Sequence, residues 1–129
     1  MRDGIAALSM IVAASCMASG ASAQSLENGE TVFKKCRSCH MIGPEAANRV
    51  GPSLNGVIGR RAGTVDGFNY SDANKAAGAG DLIWTEEVLF KYLEAPMVFM
   101  PRTKMAFPGL KDEQDRRDII AYLKKFSNL

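Results

Sequence analysis

The five residues Cys36-Arg37-Ser38-Cys39-His40 constrain this chain more than any other segment. Two thiols separated by two residues, with a histidine directly after the second, form the C-x-x-C-H pattern at which c-type haem is attached. The spacing suits the chemistry, because two thiols on one helical turn can add to the two vinyl groups on one side of the porphyrin. The adjacent histidine then lies under the iron as the proximal ligand. The motif predicts one haem, bound covalently through Cys36 and Cys39 with His40 on the iron.

Three alternatives to haem attachment are open from the residues alone. A thioredoxin-like redox pair is expected within a βαβ unit, and no strand pattern surrounds the motif. A tetrahedral zinc site needs further ligands from a second cysteine or histidine cluster, but His40 is the only histidine in the chain. Chance occurrence is the third. The export signal and the loop-rich helical pattern described below favour haem attachment over all three.

Composition excludes several classes of protein. The chain has 129 residues, a length that fits one compact domain, and a formal net charge of +2, too small to drive non-specific binding to nucleic acid. Three cysteines are too few for a disulfide-rich scaffold. No apolar run approaches the roughly 20 residues needed to span a bilayer. The sequence therefore predicts one domain without a nucleic-acid partner and without membrane insertion.

Residues 1–23 have the pattern of a secretory signal peptide. A short apolar stretch from Ile5 to Ala18 is followed by Ala21-Ser22-Ala23, whose small residues suit signal peptidase. We expect cleavage before Gln24, which leaves residues 24–129 as the mature domain in the periplasm of a bacterium. Two alternatives are a structural helix over the apolar stretch and lipid attachment at Cys16.

Three segments of the mature chain carry a helix-start signal followed by apolar residues at helical spacing. Ser25 precedes a predicted helix from about Leu26 to Cys36. Thr85 precedes a second helix, which is expected to stop at Pro96, and Asp112 begins the last one. The pattern predicts an all-α fold with three main helices.

Long irregular segments separate these helices. Residues 41–80 contain two prolines and eight glycines and have no sustained period, and a second irregular loop runs from residue 97 to Gly109. Loops longer than roughly 12 to 15 residues are uncommon in a small domain. A large apolar cofactor would give them a surface to pack against. We therefore expect the loops to wrap around the one covalently attached haem.

The sixth position of the iron is constrained by the single histidine. It must be filled by methionine, by lysine or another weak donor, or stay vacant. Of the four methionines in the mature chain, Met41 neighbours His40 and cannot reach the opposite face, and Met97 lies just beyond the predicted helix stop. Met100 and Met105 remain as candidates, although core filling is the more common role of a methionine.

An ordered series of short runs resembles the class I cytochromes c, in particular the mitochondrial and bacterial cytochrome c2 group. The resemblance covers the whole mature chain and implies the cytochrome c fold. The matching runs are Cys36 to His40, Gly51 to Gly56, Gly59 to Gly63, Gly67 to Lys75, Trp84, Tyr92 to Pro96, Pro101 to Met105 and Ile119 to Lys125.

The resemblance also implies individual roles. Met105 would be the distal iron ligand, and the carbonyl of Pro52 would accept a hydrogen bond from His40 and fix its tautomer. Gly29 and Tyr122 would form the close crossing of the first and last helices. Two further groups are implied: residues contacting the haem propionates (Arg60, Tyr70 and Trp84) and polar residues around the distal methionine (Asn74, Tyr92 and Thr103).

The implied function is that of a soluble, monomeric electron carrier and not an enzyme, because both axial positions of the haem c iron would be filled. The implied partners are a donor of the quinol–cytochrome c reductase type and an acceptor of the oxidase or photosynthetic reaction-centre type. Two alternatives from other classes are a haem peroxidase or gas-binding protein, and a haem module docked to a dehydrogenase.

The chain departs from the mitochondrial pattern at three places. Residues 76–83 are a few residues longer, and we expect a surface bulge that does not contact the haem. Met97 and Val98 stand where mitochondrial relatives carry lysines, and Arg102 stands where they carry a glycine.

Overall fold

The computed structural model describes residues 23–129, so the predicted signal peptide, apart from Ala23, lies outside the described residues. Five helices follow one another: α1 (Leu26–Phe33), α2 (Asp72–Ala79), α3 (Glu86–Glu94), α4 (Pro96–Phe99) and α5 (Glu113–Lys124). Over residues 23–129 the only β-type pairing is an isolated bridge between Arg61 and Ile83. None of the described helices is long and apolar enough to cross a membrane. The all-α prediction is confirmed.

The caps predicted for the three main helices are present. The side chains of Ser25, Thr85 and Asp112 each accept a hydrogen bond from the backbone N–H three residues further along, at 3.1, 3.1 and 2.8 Å. Each bond satisfies a donor that has no acceptor inside its helix. These local signals fix where α1, α3 and α5 begin.

The end of α1 differs from the prediction. The helix ends at Phe33 and not at Cys36. The chain continues in tight turns, in which the N–H of Cys36 donates to the carbonyl of Phe33 at 2.8 Å and the N–H of Cys39 donates to that of Cys36 at 3.1 Å. The two cysteines therefore lie on a compact turn after the helix, which still brings both thiols to one side of the chain.

The prediction that residues 41–80 are irregular throughout was wrong for the last part of the segment. Helix α2 forms there, capped by the Ser71 hydroxyl, which accepts from the N–H of Asn74 at 3.1 Å. Residues 76–79, expected in a surface bulge, belong to this helix. The residues that follow pair back onto the fold through the bridge between Arg61 and Ile83.

The second irregular loop also contains a helix. Pro96 was predicted to stop α3, and it does, but it also begins the single turn of α4. Proline suits this first position because its fixed φ fits the helix and its missing N–H would have no acceptor there. The turn leaves Met97 and Val98 exposed, at 50% and 78% of their surface.

Helices α1 and α5 cross in close contact at Gly29, as the resemblance implies. A Cβ atom at Gly29 would lie 2.2 Å from the carbonyl oxygen of Asp118 and 2.8 Å from Cβ of Tyr122. Beside the crossing, the rings of Phe33 and Tyr122 pack at a centroid distance of 5.5 Å. The crossing joins the two ends of the domain and supports the core.

Asp118 is a buried carboxylate at this crossing, with 1% of its surface exposed. It accepts hydrogen bonds from the N–H of Ser25 at 2.7 Å, from the Asn28 amide at 2.7 Å and from the Gln114 amide at 2.9 Å. Burial alone would raise its pKa, but these hydrogen bonds outweigh burial, and the pKa of Asp118 is lowered. The ionised carboxylate thus holds the start of α1 against α5.

We expect Asp118→Asn to lower the free energy of unfolding at pH 7 by about 1.5–3 kcal/mol, since the amide must turn its NH₂ group toward one of the three donors. A carboxyl with a lowered folded-state pKa stabilises the fold above its unfolded pKa of about 3.9 and loses that contribution as pH falls through the folded value. The difference in free energy of unfolding between the parent protein and Asp118→Asn should therefore become smaller below about pH 4. Denaturant unfolding from pH 7 to pH 3 measures it. The exposed control Asp66→Asn should change the free energy of unfolding little. If the effect of Asp118→Asn is the same at every pH, the stabilising role of the ionised Asp118 carboxylate is contradicted.

Candidate haem site

A single cavity brings together every site residue that the sequence predicted. It opens between α3, α5 and the long loops, and the space between its lining atoms is about 1420 Å³, part of it open to solvent. The predicted residues in its lining are Cys36, Cys39, His40, Pro52, Arg60, Tyr70, Asn74, Trp84, Tyr92, Thr103 and Met105. Residues 76–83 do not line it, as expected.

His40 is held on one side of the cavity by its backbone neighbour. Its Nδ1 lies 2.7 Å from the carbonyl oxygen of Pro52, so Nδ1 carries the proton and donates, and Nε2 keeps its lone pair. Burial lowers the pKa of His40, which favours the neutral imidazole that a metal requires. Gly51 leaves room for the ring, because a Cβ there would lie 2.3 Å from Cε1 of His40.

The thiols of Cys36 and Cys39 are both partly buried, unpaired by a disulfide and part of the cavity lining. Burial, reinforced by the neighbouring Cys39, raises the pKa of Cys36 to about 11, so this thiol is protonated at neutral pH. Within residues 23–129 no group of three or more histidine, cysteine, aspartate or glutamate side chains could hold a metal ion. The cysteine pair therefore does not belong to a zinc site in the described part of the chain.

Met105 lies in the cavity lining with polar partners for both its backbone and its side chain. The Tyr92 hydroxyl donates to its Sδ at 3.1 Å, and its own N–H donates to Oγ1 of Thr103 at 3.2 Å. Burial raises the pKa of Tyr92, so the hydroxyl keeps the proton that it donates. Nearby, Oδ1 of Asn74 is buried without a hydrogen-bond partner among the described residues, and such an atom indicates a missing polar neighbour in the cavity.

The candidate methionines lie in different environments. Met100 is buried in the hydrophobic core with 5% of its surface exposed and does not line the cavity, while Met97 is half-exposed on α4. Of the four methionines in residues 24–129, only Met105 lines the cavity.

Arg60 and Tyr70 do more than the sequence indicated. The Arg60 guanidinium donates to the carbonyls of Ser53 and Asn55 at 3.1 and 3.2 Å, and the Tyr70 hydroxyl accepts from the N–H of Val65 at 3.0 Å. Both side chains therefore also fix the loops that form the cavity wall.

Sequence reasoning missed several residues of the lining. The apolar walls come from four parts of the chain: the end of α1, α3, α5 and the loops. Their side chains are Phe33, Leu54, Val57, Phe68, Leu89, Leu93, Phe107, Ile119 and Leu123. Helical spacing marks the α3 and α5 members as apolar faces without showing that they line a cavity, and nothing local marks Phe68 or Phe107. At the mouth, Val50 is 76% exposed and lies with Lys35 and Lys104 in the lining.

Comparisons with known proteins agree with this site. Residues 26–127 match the family model for cytochrome c. Cytochrome c2 of Blastochloris viridis is 54% identical over 107 residues, which cover 83% of this chain and 82% of that protein. Cytochrome c-550 of Ancylobacter novellus is 50% identical over 99 residues, covering 77% of this chain and 92% of that protein. The solved structure of cytochrome c2 from Rhodospirillum centenum superposes with a TM-score of 0.75 at 49% identity, covering 79% and 98% of the two chains.

The donor set fits a covalently attached haem. Two unpaired thiols, a neutral imidazole with a lone pair on Nε2, a thioether sulfur and apolar walls line one cavity. The same lining holds Asn74, whose buried amide oxygen has no hydrogen-bond partner among residues 23–129. Together with the family match over residues 26–127, these features show that the chain belongs to the cytochrome c family, whose members carry electrons on one covalently bound haem c.

Proposed function

We propose that the chain shuttles single electrons between membrane-bound redox complexes, with Cys36 and Cys39 as thioether attachments, His40 and Met105 as axial ligands and no substrate chemistry. The observation that carries the proposal is that the only histidine and a single methionine line the same cavity. When bound, the haem iron supplies a one-electron couple between the ferric and ferrous states.

The chain's own residues prepare both ligand atoms. Pro52 holds the proton on Nδ1 of His40 and so leaves Nε2 available. The Tyr92 hydroxyl occupies one lone pair of the Met105 sulfur and leaves the second one. A thioether ligand favours ferrous iron and raises the reduction potential, and apolar walls that limit water act in the same direction.

Our proposal that the protein is not an enzyme rests on the same two ligands. If His40 and Met105 both hold the iron, the haem would have no open coordination site for oxygen or peroxide. A haem peroxidase or gas-binding protein would require Met105 to stay away from the iron. The bond from Tyr92 to its sulfur and the bond from its N–H to Thr103 favour a fixed Met105.

The mouth of the cavity suits brief encounters with other proteins. Val50 provides exposed apolar surface, and Lys35 and Lys104 provide positive charge beside it. Small interfaces with charge complementarity are typical of electron-transfer encounters. We propose a donor of the quinol–cytochrome c reductase type, an acceptor of the oxidase or reaction-centre type, a monomeric state, and a periplasmic location reached through the signal peptide of residues 1–23.

The test uses protein purified from the periplasm of an expressing bacterium. We expect an intact mass equal to residues 24–129 plus one haem, elution as a monomer, and a near-infrared band from sulfur-to-iron charge transfer that carbon monoxide and peroxide leave unchanged. An unprocessed mass would contradict the signal peptide, and co-elution with a dehydrogenase would favour the docked module. A missing band would exclude Met105 as ligand and favour the peroxidase or gas-binding alternative.

A further inference from the structure

Two places in the chain have an asparagine followed directly by a glycine, Asn28-Gly29 and Asn55-Gly56. Asparagine is a thermolabile residue, and a following glycine makes it more reactive, because a residue without Cβ lets its backbone nitrogen approach the preceding side chain. That nitrogen can attack the side-chain amide carbon and close a cyclic imide. The two pairs are held in place by different parts of the fold.

The Asn28-Gly29 pair lies inside α1, at the crossing with α5. The N–H of Gly29 donates to the carbonyl of Ser25 at 2.9 Å. The Asn28 amide donates to the carboxylates of Asp115 and Asp118 at 3.0 and 2.7 Å. Both the attacking nitrogen and the amide under attack are therefore fixed by the contact between the two helices. We expect this pair to react only when the whole domain unfolds.

The Asn55-Gly56 pair lies in a half-buried loop turn, and its glycine has a φ of +66°. The Asn55 side chain forms two hydrogen bonds with the backbone of Gly43. Its Oδ1 accepts from the N–H at 2.8 Å, and its Nδ2 donates to the carbonyl at 2.7 Å. These two bonds hold the side-chain amide in one orientation, but they leave the Gly56 nitrogen to be held from elsewhere.

The segment after α5 holds this nitrogen. The N–H of Gly56 donates to the carbonyl of Phe126 at 2.9 Å. A Cβ at Gly56 would lie 3.3 Å from the carbonyl oxygen of Leu129, so the segment also covers the turn. While its N–H is bonded, the Gly56 nitrogen can neither lose its proton nor turn toward the Asn55 side chain. Residues 127–129 are exposed, and a short exposed segment opens at a lower free-energy cost than packed helices do.

We propose that Asn55 is a deamidation site that the Phe126 carbonyl keeps unreactive, and that opening of residues 126–129 allows the reaction. The Gly56 nitrogen gives up its proton and bonds to Cγ of Asn55, while the bond from Cγ to Nδ2 breaks and the amide nitrogen leaves with that proton as ammonia. Water then opens the imide at either carbonyl and gives aspartate or isoaspartate. No oxidant or reductant takes part. The proposal concerns this turn alone and does not depend on the electron-carrier role.

The reaction would change one wall of the haem cavity. Arg60, which lines the cavity, donates to the backbone carbonyl of Asn55 at 3.2 Å. An ionised carboxylate at position 55 cannot donate to the Gly43 carbonyl, so that hydrogen bond is lost. Isoaspartate also lengthens the backbone that Arg60 contacts. Deamidation therefore adds a negative charge and loosens a loop of the site.

The first test follows deamidation of the purified haem-loaded protein in mildly alkaline buffer. Peptide mapping by mass spectrometry measures aspartate and isoaspartate at positions 28 and 55, and a free peptide of residues 53–57 gives the unprotected rate. Asn55 in the parent protein should react at least about tenfold more slowly than in the peptide, because three hydrogen bonds have to break first. Equal rates in the protein and the peptide would overturn the proposal.

Two truncated chains identify the protecting group. A chain that stops after Lys125 loses the Phe126 carbonyl, and its Asn55 should deamidate about two- to tenfold faster than in the parent, the factor that corresponds to one hydrogen bond. The matched control stops after Phe126, keeps that carbonyl and should react at the parent's rate. Asn28 should stay unreacted in both. Equal acceleration in the two truncated chains, or acceleration at Asn28 as large as at Asn55, would contradict the proposal.

Hydrogen exchange of the intact protein decides the question if the shorter chain does not fold. The Gly56 amide should exchange through local opening, at least about tenfold faster than the Gly29 amide, and its exchange should depend less on denaturant. If both amides exchange only with global unfolding, residues 126–129 do not open by themselves and the proposal is wrong.

Discussion

Replacing Met105 with alanine should abolish the sulfur-to-iron band and lower the reduction potential. Met105 is the single methionine of residues 23–129 in the lining of the haem cavity, and no other thioether of these residues lies there to replace it. Axial ligands set haem potentials over a range of about 0.8 V, and a thioether lies at the high end of it. An open sixth position should also permit reaction with peroxide. Near-infrared absorption, redox titration and a peroxidase assay on the same preparation measure the three effects.

Met100→Ala is the matched control for this experiment. Its side chain is buried in the core with 5% of its surface exposed, so truncation should cost about 2–5 kcal/mol of stability through a cavity. The band and the potential should be kept. If Met100→Ala loses the band while Met105→Ala keeps it, the two roles are reversed.

Replacing Gly29 with alanine should destabilise the fold by about 1–3 kcal/mol, or more where the backbone has to move. On an isolated helix the same change would be favourable by roughly 0.5–1 kcal/mol, because alanine loses less backbone entropy. In the folded protein the change in stability is unfavourable, because the new Cβ would lie 2.2 Å from a backbone carbonyl of α5 that no rotamer change can move. Denaturant unfolding of the haem-loaded protein measures the change.

Gly80→Ala provides the comparison for that result. A Cβ at Gly80 would meet its nearest atoms at 3.5 Å, an ordinary contact distance, and its φ of −86° suits alanine. This variant should be neutral or stabilising by about 0.4–1 kcal/mol. If both glycine variants change stability equally, the crossing of α1 and α5 is not the cause.

The parts that the sequence predicted well are those determined by short-range chemistry. A capping side chain and its acceptor N–H are three residues apart, so the starts of α1, α3 and α5 are visible in the sequence. The C-x-x-C-H motif is equally local. The resemblance supplied the rest of the predicted cavity lining, because residues such as Asn74 and Thr103 carry no local signal of a shared site.

Helices α2 and α4 were missed for two different physical reasons. Helix α2 packs through small residues, with Ala73, Ala77 and Gly78 toward the core, so it has no stripe of large apolar side chains to reveal its period. Helix α4 is a single turn that begins at a proline, and proline marks the end of one helix as readily as the start of the next. Apolar periodicity can detect neither case.

The burial of two charged residues of α5 could not be predicted from the sequence, for a third reason. Asp118 and Arg116 are 1% and 3% exposed, whereas an amphipathic pattern assigns charged residues to solvent. Arg116 donates to the carbonyl of Leu110 at 2.6 Å, and Asp118 accepts from Ser25, 93 residues earlier in the chain. Ser25 and Asp118 become neighbours only after the chain has folded, and a carbonyl acceptor such as that of Leu110 leaves no mark in the sequence.

The contact between the first and last helices also sets the order of events during synthesis. Docking of α5 on α1 closes a loop of about 90 residues, and long-range closure of this kind slows folding. The cysteine pair emerges from the ribosome long before α5 does. A chain that lacks α5 cannot form the crossing at Gly29, so the two ends of the domain dock only when the final helix is complete. The crossing is therefore one of the last contacts available to the growing chain.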